Sequence, residues 1–265
     1  MTGLFDLSNK VALVTGALGL IGKHFCRSLW NSGATVIATD LNGEGCVRFA
    51  SDFPDRVHGM GMNLLNPEDI KEVAHQIHHR FGPLDVLVNN AALNDRVEEG
   101  SGIPCFENYP LNLWNNQWKV NVSGVFLTCQ EFGSRMAQNQ KGSIINIAST
   151  YALCSPDQRL YQQKDGIQTF FKSAAYGATK AAVLSLTQYL ACYWAKNNIR
   201  VNAISPGGIE NNQNVDFISK YSEKTPMGRM GAPQDLNGAL IFLASDSSGY
   251  VTGHNLVVDG GWTTW

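Results

Sequence analysis

The sequence predicts one α/β domain in which helices cover both faces of a doubly wound parallel sheet. Short runs rich in valine and isoleucine alternate along the 265 residues with longer amphipathic stretches. Continuous apolar strands that alternate with helices are typical of a parallel sheet buried on both sides. A glycine-rich turn directly follows the first apolar run. No linker or repeat interrupts residues 1–265, so we expect a single domain.

The predicted elements alternate, and each strand except the last is followed by a helix. The strands cover residues 10–15, 35–40, 84–89, 143–148, 199–204 and 255–259. The helices cover residues 22–31, 67–81, 114–138, 174–197 and 233–244. Asn66 is a good N-cap and Pro67 suits the first helical position, which marks the start of the second helix. Two stretches, 94–112 and 151–173, are too long for simple connections, so we expect them to be loops near the active site.

Composition and charge exclude several classes of function. The net charge is −2 and 44% of the residues are hydrophobic, which predicts neither a nucleic-acid footprint nor a membrane-surface patch. No apolar run approaches about 20 residues, and the N-terminal residues lack a signal-peptide pattern. The six cysteines form no Cys-x-x-Cys pair, so we predict no metal site and a cytoplasmic protein.

The glycine-rich turn has the pattern of a Rossmann-type phosphate site. Gly16 permits the tight turn, while Gly19 or Gly22 allows close approach of backbone to a pyrophosphate or of helix to sheet. The following helix presents unpaired amide groups and a partial positive charge to the phosphates. The candidate contacts in this turn are Gly16, Leu18, Gly19, Leu20, Ile21 and Gly22.

Asp40 indicates which dinucleotide binds. It ends the second predicted strand, where a carboxylate can accept hydrogen bonds from both hydroxyls of the adenosine ribose. The same charge would repel the 2′-phosphate of NADP. No lysine or arginine lies between Gly16 and Gly22, or just after Asp40, to receive that phosphate. We therefore predict NAD rather than NADP.

Tyr176 and Lys180 are four residues apart in a predicted helix, which places both side chains on one face. A lysine ammonium beside a phenol favours the phenolate, so the spacing predicts a tyrosine whose pKa is lowered. Such a pair, in a chain that also has a dinucleotide turn, indicates hydride transfer at a carbonyl or alcohol carbon.

Several motifs in the same order resemble the short-chain dehydrogenase/reductase family, over nearly the whole chain. Besides the glycine turn and the Tyr–Lys pair, the matching segments are Asn89-Asn90-Ala91-Ala92, Val120-Asn121-Val122, Ser149 after the fourth strand, Ser205-Pro206-Gly207 and Asp259-Gly260-Gly261. The inserted loop and the ending Gly260–Trp265 weakly resemble members linked to surface-sugar or flagellin-glycan biosynthesis.

The resemblance implies a role for each matched residue. Tyr176 would be the general acid in reduction and the general base in oxidation. Lys180 would lower its pKa and bind the nicotinamide ribose. Ser149 would donate to the substrate oxygen or position Tyr176, and Asn121 would hold a water of a proton relay. The further cofactor contacts would be Asn63, Leu64, Asn90, Ala91, Ala92, Pro206, Gly207 and Ile209.

The chain departs from the family most clearly in the spacing from Ser149 to Tyr176, which is 27 positions (176 − 149) and longer than usual. This spacing implies an extra loop beside the active site. Tyr161 stands at the usual distance, but Asp165 rather than lysine follows it by four positions. An acidic neighbour would raise the pKa of the phenol, so we reject Tyr161 as the acid.

The two long loops are polar and predict a small hydroxylated or charged substrate, such as a sugar or sugar acid; alternatively, they are solvated and touch no substrate. The candidate substrate contacts are Asn94, Ser149, Tyr151 and Tyr176. The first alternative function is a 3-oxoacyl thioester reductase, and the second is a cofactor-binding subunit without turnover. An apolar stripe on the Tyr–Lys helix, together with the family's common assembly, predicts a homotetramer or homodimer.

Overall fold

The computed structural model describes residues 3–94, 105–163 and 166–265, and these form a single α/β domain around a parallel sheet. The seven strands lie in the order β3-β2-β1-β4-β5-β6-β7, and all of them pair in parallel. The strands are β1 Val11–Thr15, β2 Thr35–Asp40, β3 Val57–Gly61, β4 Val86–Asn89, β5 Gly142–Ile147, β6 Ile199–Pro206 and β7 Asn255–Val258. The predicted fold class is confirmed.

Helices connect the strands. They are α1 Leu20–Asn31, α2 Gly43–Ala50, α3 Pro67–Phe81, α4 Leu111–Trp118, α5 Val125–Thr128, α6 Ser134–Gln138, α7 Ala174–Trp194, α8 Val215–Lys224 and α9 Asn237–Ala244. Two π-helical turns, Lys119–Gly124 and Cys129–Gly133, join α4, α5 and α6 into one continuous helical segment. This segment corresponds to the helix predicted over 114–138.

Side chains on the two faces of the sheet belong to two separate hydrophobic cores. On β1, Val11 and Leu13 face one core, whereas Ala12 and Val14 face the other. Successive side chains of a strand point to opposite faces, so a strand covered on both sides needs apolar residues at every position. This is the physical reason why the apolar runs in the sequence predicted the sheet correctly.

The structure adds three elements that the sequence analysis missed, namely α2, β3 and α8. Glycine occupies two of the eight positions of α2 and two of the five positions of β3, and it disfavours both helix and strand. Gly59 is nevertheless required, because a Cβ there would lie 2.1 Å from the backbone carbonyl carbon of Cys46 in α2. Close packing between α2 and β3 therefore decides their conformation.

The two long loops are only partly as expected. The first was predicted over 94–112, but residues 95–104 lie outside the described part of the chain, and α4 already begins at Leu111. The second, 151–173, begins in a 3-10 turn at Thr150–Ala152 and contains another at Gln158–Tyr161, and its other described residues before α7 have irregular backbone. The described first residues of both loops lie at the carboxyl end of the sheet, because Asn94 follows β4 and Tyr151 follows β5.

The strand order reverses between β1 and β4, which lie side by side at the centre of the sheet. Strands β2 and β3 extend the sheet outward from β1, and strands β5, β6 and β7 extend it outward from β4 on the other side. In open α/β sheets, ligands bind in the crevice at the carboxyl ends of such neighbouring strands. Within the described ranges, no helix combines the length and hydropathy that crossing a lipid bilayer would require.

Candidate active site

Tyr176 and Lys180 lie one turn apart near the start of α7. The Lys180 ammonium is 5.7 Å from the centroid of the Tyr176 ring and donates a hydrogen bond of 2.6 Å to the carbonyl of Ile147. That carbonyl belongs to the last residue of β5, so the strand end holds the lysine in place. Lys180 is buried, whereas Tyr176 keeps part of its side chain exposed.

Ser149 comes two residues after β5 and is brought next to Tyr176 although 27 positions separate them (176 − 149). Its side chain lies close enough to the Tyr176 phenol to lower the pKa of that phenol. Its Oγ also accepts a hydrogen bond of 3.1 Å from the backbone N–H of Tyr151. The insertion therefore does not separate the serine from the tyrosine, because it begins after β5 and ends at the start of α7.

Asn121 lies in the first π-helical turn, and such turns are frequent at functional sites. Its amide donates to the carbonyl of Leu93 at 2.9 Å and to the Thr179 hydroxyl at 3.1 Å, while its carbonyl oxygen accepts from the Leu93 N–H at 2.7 Å. The side chain thus ties the segment after β4 to α7. A water held by Asn121 in a proton relay stays a prediction.

Burial sets the protonation of the two central groups. It raises the pKa of Tyr176 to about 12, and the hydrogen bond from Ser149 opposes that rise only in part. Burial also lowers the pKa of Lys180 to about 8. The sequence analysis expected a lowered pKa for Tyr176, and the difference arises because the cost of removing the phenolate from water exceeds the effect of the serine.

The glycine turn after β1 is as tight as its sequence suggested. Gly16 has a φ of +63°, a conformation that glycine adopts without strain. A Cβ on Gly16 would lie 2.7 Å from Cα of Ala91, and a Cβ on Gly22 would lie 2.2 Å from the carbonyl oxygen of Gly16. Gly16 therefore allows the turn to approach the segment after β4, and Gly22 allows α1 to approach the turn.

The N-terminus of α1 fits a dinucleotide pyrophosphate. Its N-cap is Gly19, no side chain caps the helix, and no acidic residue occupies the first turn, which includes Leu20 and Ile21. The amide groups that a helix start leaves unpaired are thus neither satisfied nor repelled by a side chain. Leu18 lies in the turn that leads into this helix.

Asn90 anchors the turn from the neighbouring strand. Its side-chain amide donates to the carbonyls of Thr15 at 2.9 Å and Gly16 at 3.0 Å. The Thr15 hydroxyl accepts hydrogen bonds from the backbone N–H groups of Asn90 and Ala91. The segment that ends with Ala92 therefore lies directly against the glycine turn, as a shared cofactor site requires.

Asp40 ends β2 beside this turn and is half-buried. One carboxylate oxygen accepts from the N–H of Leu18 at 3.4 Å, and the other accepts from the N–H of Asn42 at 3.5 Å. Both contacts are long, which leaves the carboxylate able to accept from a ligand. The nearest downstream arginine in the sequence, Arg48, faces Glu44 at 3.7 Å.

The predicted adenine contacts Asn63 and Leu64 follow the end of β3. Asn63 accepts a hydrogen bond from the N–H of Leu65 at 3.0 Å. Leu64 packs against the core beside the π-helical turn, where a Cβ added to Gly124 would lie 3.2 Å from the Cβ of Leu64. The local turn therefore uses the amide oxygen of Asn63, and adenine recognition by that residue stays a prediction.

The segment after β6 approaches the crevice from the other side. Pro206 is the last residue of β6, and the N–H of Gly207 donates to Val258 of β7 at 2.9 Å. Ile209 forms an isolated parallel bridge with Gly231. These contacts fix the backbone of the segment that the family resemblance assigns to the nicotinamide.

The inserted loop is tied to helix α8 by polar contacts, although many of its described side chains remain exposed. Asp157 accepts two hydrogen bonds of 2.9 Å from the Arg159 guanidinium and forms an ion pair with Lys224 of α8. Lys220 of α8 donates to the carbonyl of Gln162. Because α8 was missed in the sequence, the partner that orders this loop could not be foreseen.

The loop also places groups at the active site that the sequence analysis missed or rejected. The hydroxyls of Tyr151 and Tyr161 are 3.4 Å apart, so Tyr161 lies in the site although it was rejected as the acid. Lys172 was missed: its ammonium is 4.5 Å from the centroid of the Tyr176 ring and donates to Oδ1 of Asn94. Its place four residues before Tyr176 was the available signal, but lysines in polar loops are usually exposed.

Comparison with known proteins shows the family to which this chain belongs. Residues 16–263 match the family model described as enoyl-(acyl carrier protein) reductase. The 3-oxoacyl-[acyl-carrier-protein] reductase of Aquifex aeolicus is 32% identical over 96% of this chain and 98% of its own length. The NAD-dependent glycerol dehydrogenase of Listeria innocua is also 32% identical, over 98% of this chain and 96% of its own length.

A solved structure agrees over the whole fold. The gluconate 5-dehydrogenase of Burkholderia cenocepacia, in complex with NADP and tartrate, superposes with a TM-score of 0.87 at 30% identity, covering 99% of this chain and 98% of that chain. The chain therefore belongs to the short-chain dehydrogenase/reductase family. Its similar proteins are oxidoreductases of sugar-like alcohols and of acyl thioesters, and both NAD and NADP are named among them.

Proposed function

We propose that this protein is an NAD-dependent oxidoreductase that interconverts a secondary alcohol and a ketone on a small, sugar-like substrate. The observation that carries the proposal is the meeting of Ser149, Tyr176 and Lys180 at the carboxyl end of the sheet, beside an uncapped helix start that suits a pyrophosphate. The presence of all three side chains, Ser149, Tyr176 and Lys180, argues against a subunit that only binds a cofactor. The bound nicotinamide would accept or supply the hydride.

In this proposal Tyr176 moves the proton. During oxidation its phenolate takes the proton of the substrate hydroxyl, and during reduction its phenol returns a proton to the developing alkoxide. Ser149 donates a hydrogen bond to the same oxygen, where negative charge develops. The ammonium of Lys180 stabilises the phenolate and binds the ribose hydroxyls of the cofactor.

The polar character of the groups around Tyr176 supports a hydroxylated substrate. Asn94, Tyr151, Tyr161 and Lys172 present an amide, two phenols and an ammonium on this side of the site. Each can donate a hydrogen bond to a hydroxyl or carboxylate oxygen. The names of the Listeria and Burkholderia proteins, a glycerol and a gluconate dehydrogenase, point in the same direction.

A 3-oxoacyl thioester reductase is the second candidate, favoured by the similarity to the Aquifex protein. The decisive experiment measures the absorbance of the reduced nicotinamide with a panel of sugars, polyols, sugar acids and 3-oxoacyl thioesters, using NAD(H) and NADP(H) separately. Turnover of a hydroxylated compound with NAD is the expected result. Reduction of thioesters alone, with NADPH, would contradict the proposal.

Replacing Asp40 by serine tests the choice of cofactor. Asp40→Ser removes the charge that repels a 2′-phosphate, so we expect the ratio of kcat/KM for NAD over NADP to fall by about tenfold, the equivalent of about 1.4 kcal/mol. Asp52→Ser, which removes an exposed carboxylate of a surface turn, is the matched control. An unchanged ratio in Asp40→Ser would show that the carboxylate does not select the cofactor.

We further propose that the chain assembles into a homotetramer or homodimer through α7. Tyr189 and Tyr193 are 63% and 64% exposed, and their rings stack at 5.9 Å on the outer face of this helix. Exposed aromatic pairs favour an interface. Light scattering at micromolar concentration should give two or four times the chain mass, and Tyr193→Glu should lower it. A monomeric mass for the unmodified protein would exclude this assembly.

A further inference from the structure

Lys172 occupies a fixed position at the end of the inserted loop. The side-chain amide of Gln158 donates to the Lys172 carbonyl at 2.8 Å, and its oxygen accepts from the Lys172 N–H at 3.0 Å. The next residue, Ser173, is the N-cap of α7. The backbone of Lys172 is therefore held on one side by the loop and on the other by the helix that carries Tyr176.

The ammonium of Lys172 points into the active site. The residue is only 7% exposed, and its Nζ lies 4.5 Å from the centroid of the Tyr176 ring, compared with 5.7 Å for Nζ of Lys180. It also donates to Oδ1 of Asn94, which follows β4. Of these two ammonium groups, the one supplied by the insertion is thus closer to the ring of Tyr176.

Burying an ammonium group costs free energy unless an interaction compensates for the lost water. An aromatic face attracts a cation, and a positive charge within about 6 Å of a phenol favours its ionised form. A general base must lose its proton near the working pH, whereas burial alone keeps the Tyr176 proton in place. A second cation beside the ring opposes this effect of burial.

We propose that Lys172 is a positioning residue that stabilises the phenolate of Tyr176 from the face of its ring. Two ammonium groups, one from α7 and one from the inserted loop, then support the proton transfer. The inference rests on the proposed role of Tyr176 as general acid and base. It also gives the insertion a function, namely to deliver a charge that the Tyr–Lys pair alone does not supply.

The groups that face Tyr176 come from several elements. Lys180 lies on α7, and Lys172 lies at the end of the inserted loop. Tyr151 and Tyr161, from the start and middle of that loop, interact with Tyr176 electrostatically, and burial keeps both phenols protonated at neutral pH by raising their pKa. Ser149 contributes a neutral hydroxyl. Lys180 and Lys172 are the two cationic side chains in this set, and they contact the ring from different elements.

The first test follows proton transfer through its pH dependence. Lys172→Met keeps the length of the side chain without its charge. In this variant we expect the acidic limb of the kcat/KM profile for oxidation, where the rate rises with pH, to move to higher pH by about one unit. At a pH within that limb, kcat/KM is then about tenfold lower than in the unmodified protein. Lys172→Arg keeps the charge and should leave the limb within about 0.3 of a unit. Lys71→Met, which removes an exposed charge of α3, is the control.

The second test needs no substrate. The ultraviolet band of ionised tyrosine is titrated in the unmodified protein and in Lys172→Met, each with its Tyr176→Phe counterpart subtracted. The Tyr176 midpoint should rise by about one unit in Lys172→Met. Lys172→Gln, which keeps a donor for Asn94 without the charge, should give the same rise and replaces the methionine variant where that variant does not fold.

Two outcomes overturn the inference. One is an unchanged Tyr176 midpoint in both uncharged variants that retain the fold, judged by their melting temperatures. The other is a raised KM with an unchanged pH profile and midpoint, which would assign Lys172 to substrate binding. A shifted midpoint in a protein that turns over no member of the panel would support the electrostatic role of Lys172 while the proposed activity fails. The two proposals can therefore fail separately.

Discussion

Tyr176→Phe is expected to lower kcat/KM by on the order of 10²–10⁴-fold, because it removes the hydroxyl that carries the proton. The ring still fills its place beside Lys180 and Lys172, so the fold and the glycine turn should be unaffected. Steady-state rates with the best substrate of the panel measure the loss. Calorimetry with NAD should give an unchanged dissociation constant, which separates a failure of chemistry from a failure of binding.

The matched control for this variant is a tyrosine outside the proposed site and the proposed interface. Tyr250→Phe removes one phenol hydroxyl from a side chain that is fully exposed. We expect its rate to stay within about twofold of the unmodified protein, since surface substitutions usually have small effects. Equal losses in both variants, or full activity in Tyr176→Phe, would mean that Tyr176 does not transfer the proton.

The second large effect concerns stability at the adenosine end of the crevice. Gly59→Ala should lower the free energy of unfolding by about 3 kcal/mol, because overpacking a close contact forces backbone to move. The added Cβ would lie 2.1 Å from both the carbonyl carbon and the oxygen of Cys46, and 2.4 Å from the nitrogen of Val47. Helix α2 would have to separate from β3. Urea denaturation at fixed protein concentration measures the change.

Gly238→Ala provides the opposite case within the same protein. Gly238 lies in α9, is exposed, and an added Cβ would meet no atom within 4 Å. Alanine is a better helix former than glycine, so we expect a gain of about 0.5–1 kcal/mol. A loss in Gly59→Ala no larger than about 0.5 kcal/mol would show that α2 and β3 adjust easily, and would contradict the packing argument.

The sequence by itself determined the class of the fold and most of its elements. A strand covered on both faces must be apolar at successive positions, and a helix must repeat its apolar residues every three to four positions, so both patterns are visible without coordinates. The π-helical interruptions around Asn121 have no such signature. Strand β3 also lacks a recognisable pattern, because its Gly59 is required only by close contact with the backbone of α2.

The candidate site divides in the same way. The helical spacing of Tyr176 and Lys180, and the glycine turn after β1, were readable because their geometry is local. The tertiary structure alone decided that burial raises the pKa of Tyr176 and that Lys172 lies against its ring. Desolvation and charge proximity depend on which distant segments pack together, here the inserted loop, α7 and α8. That information belongs to three-dimensional contacts and not to any short stretch of the chain.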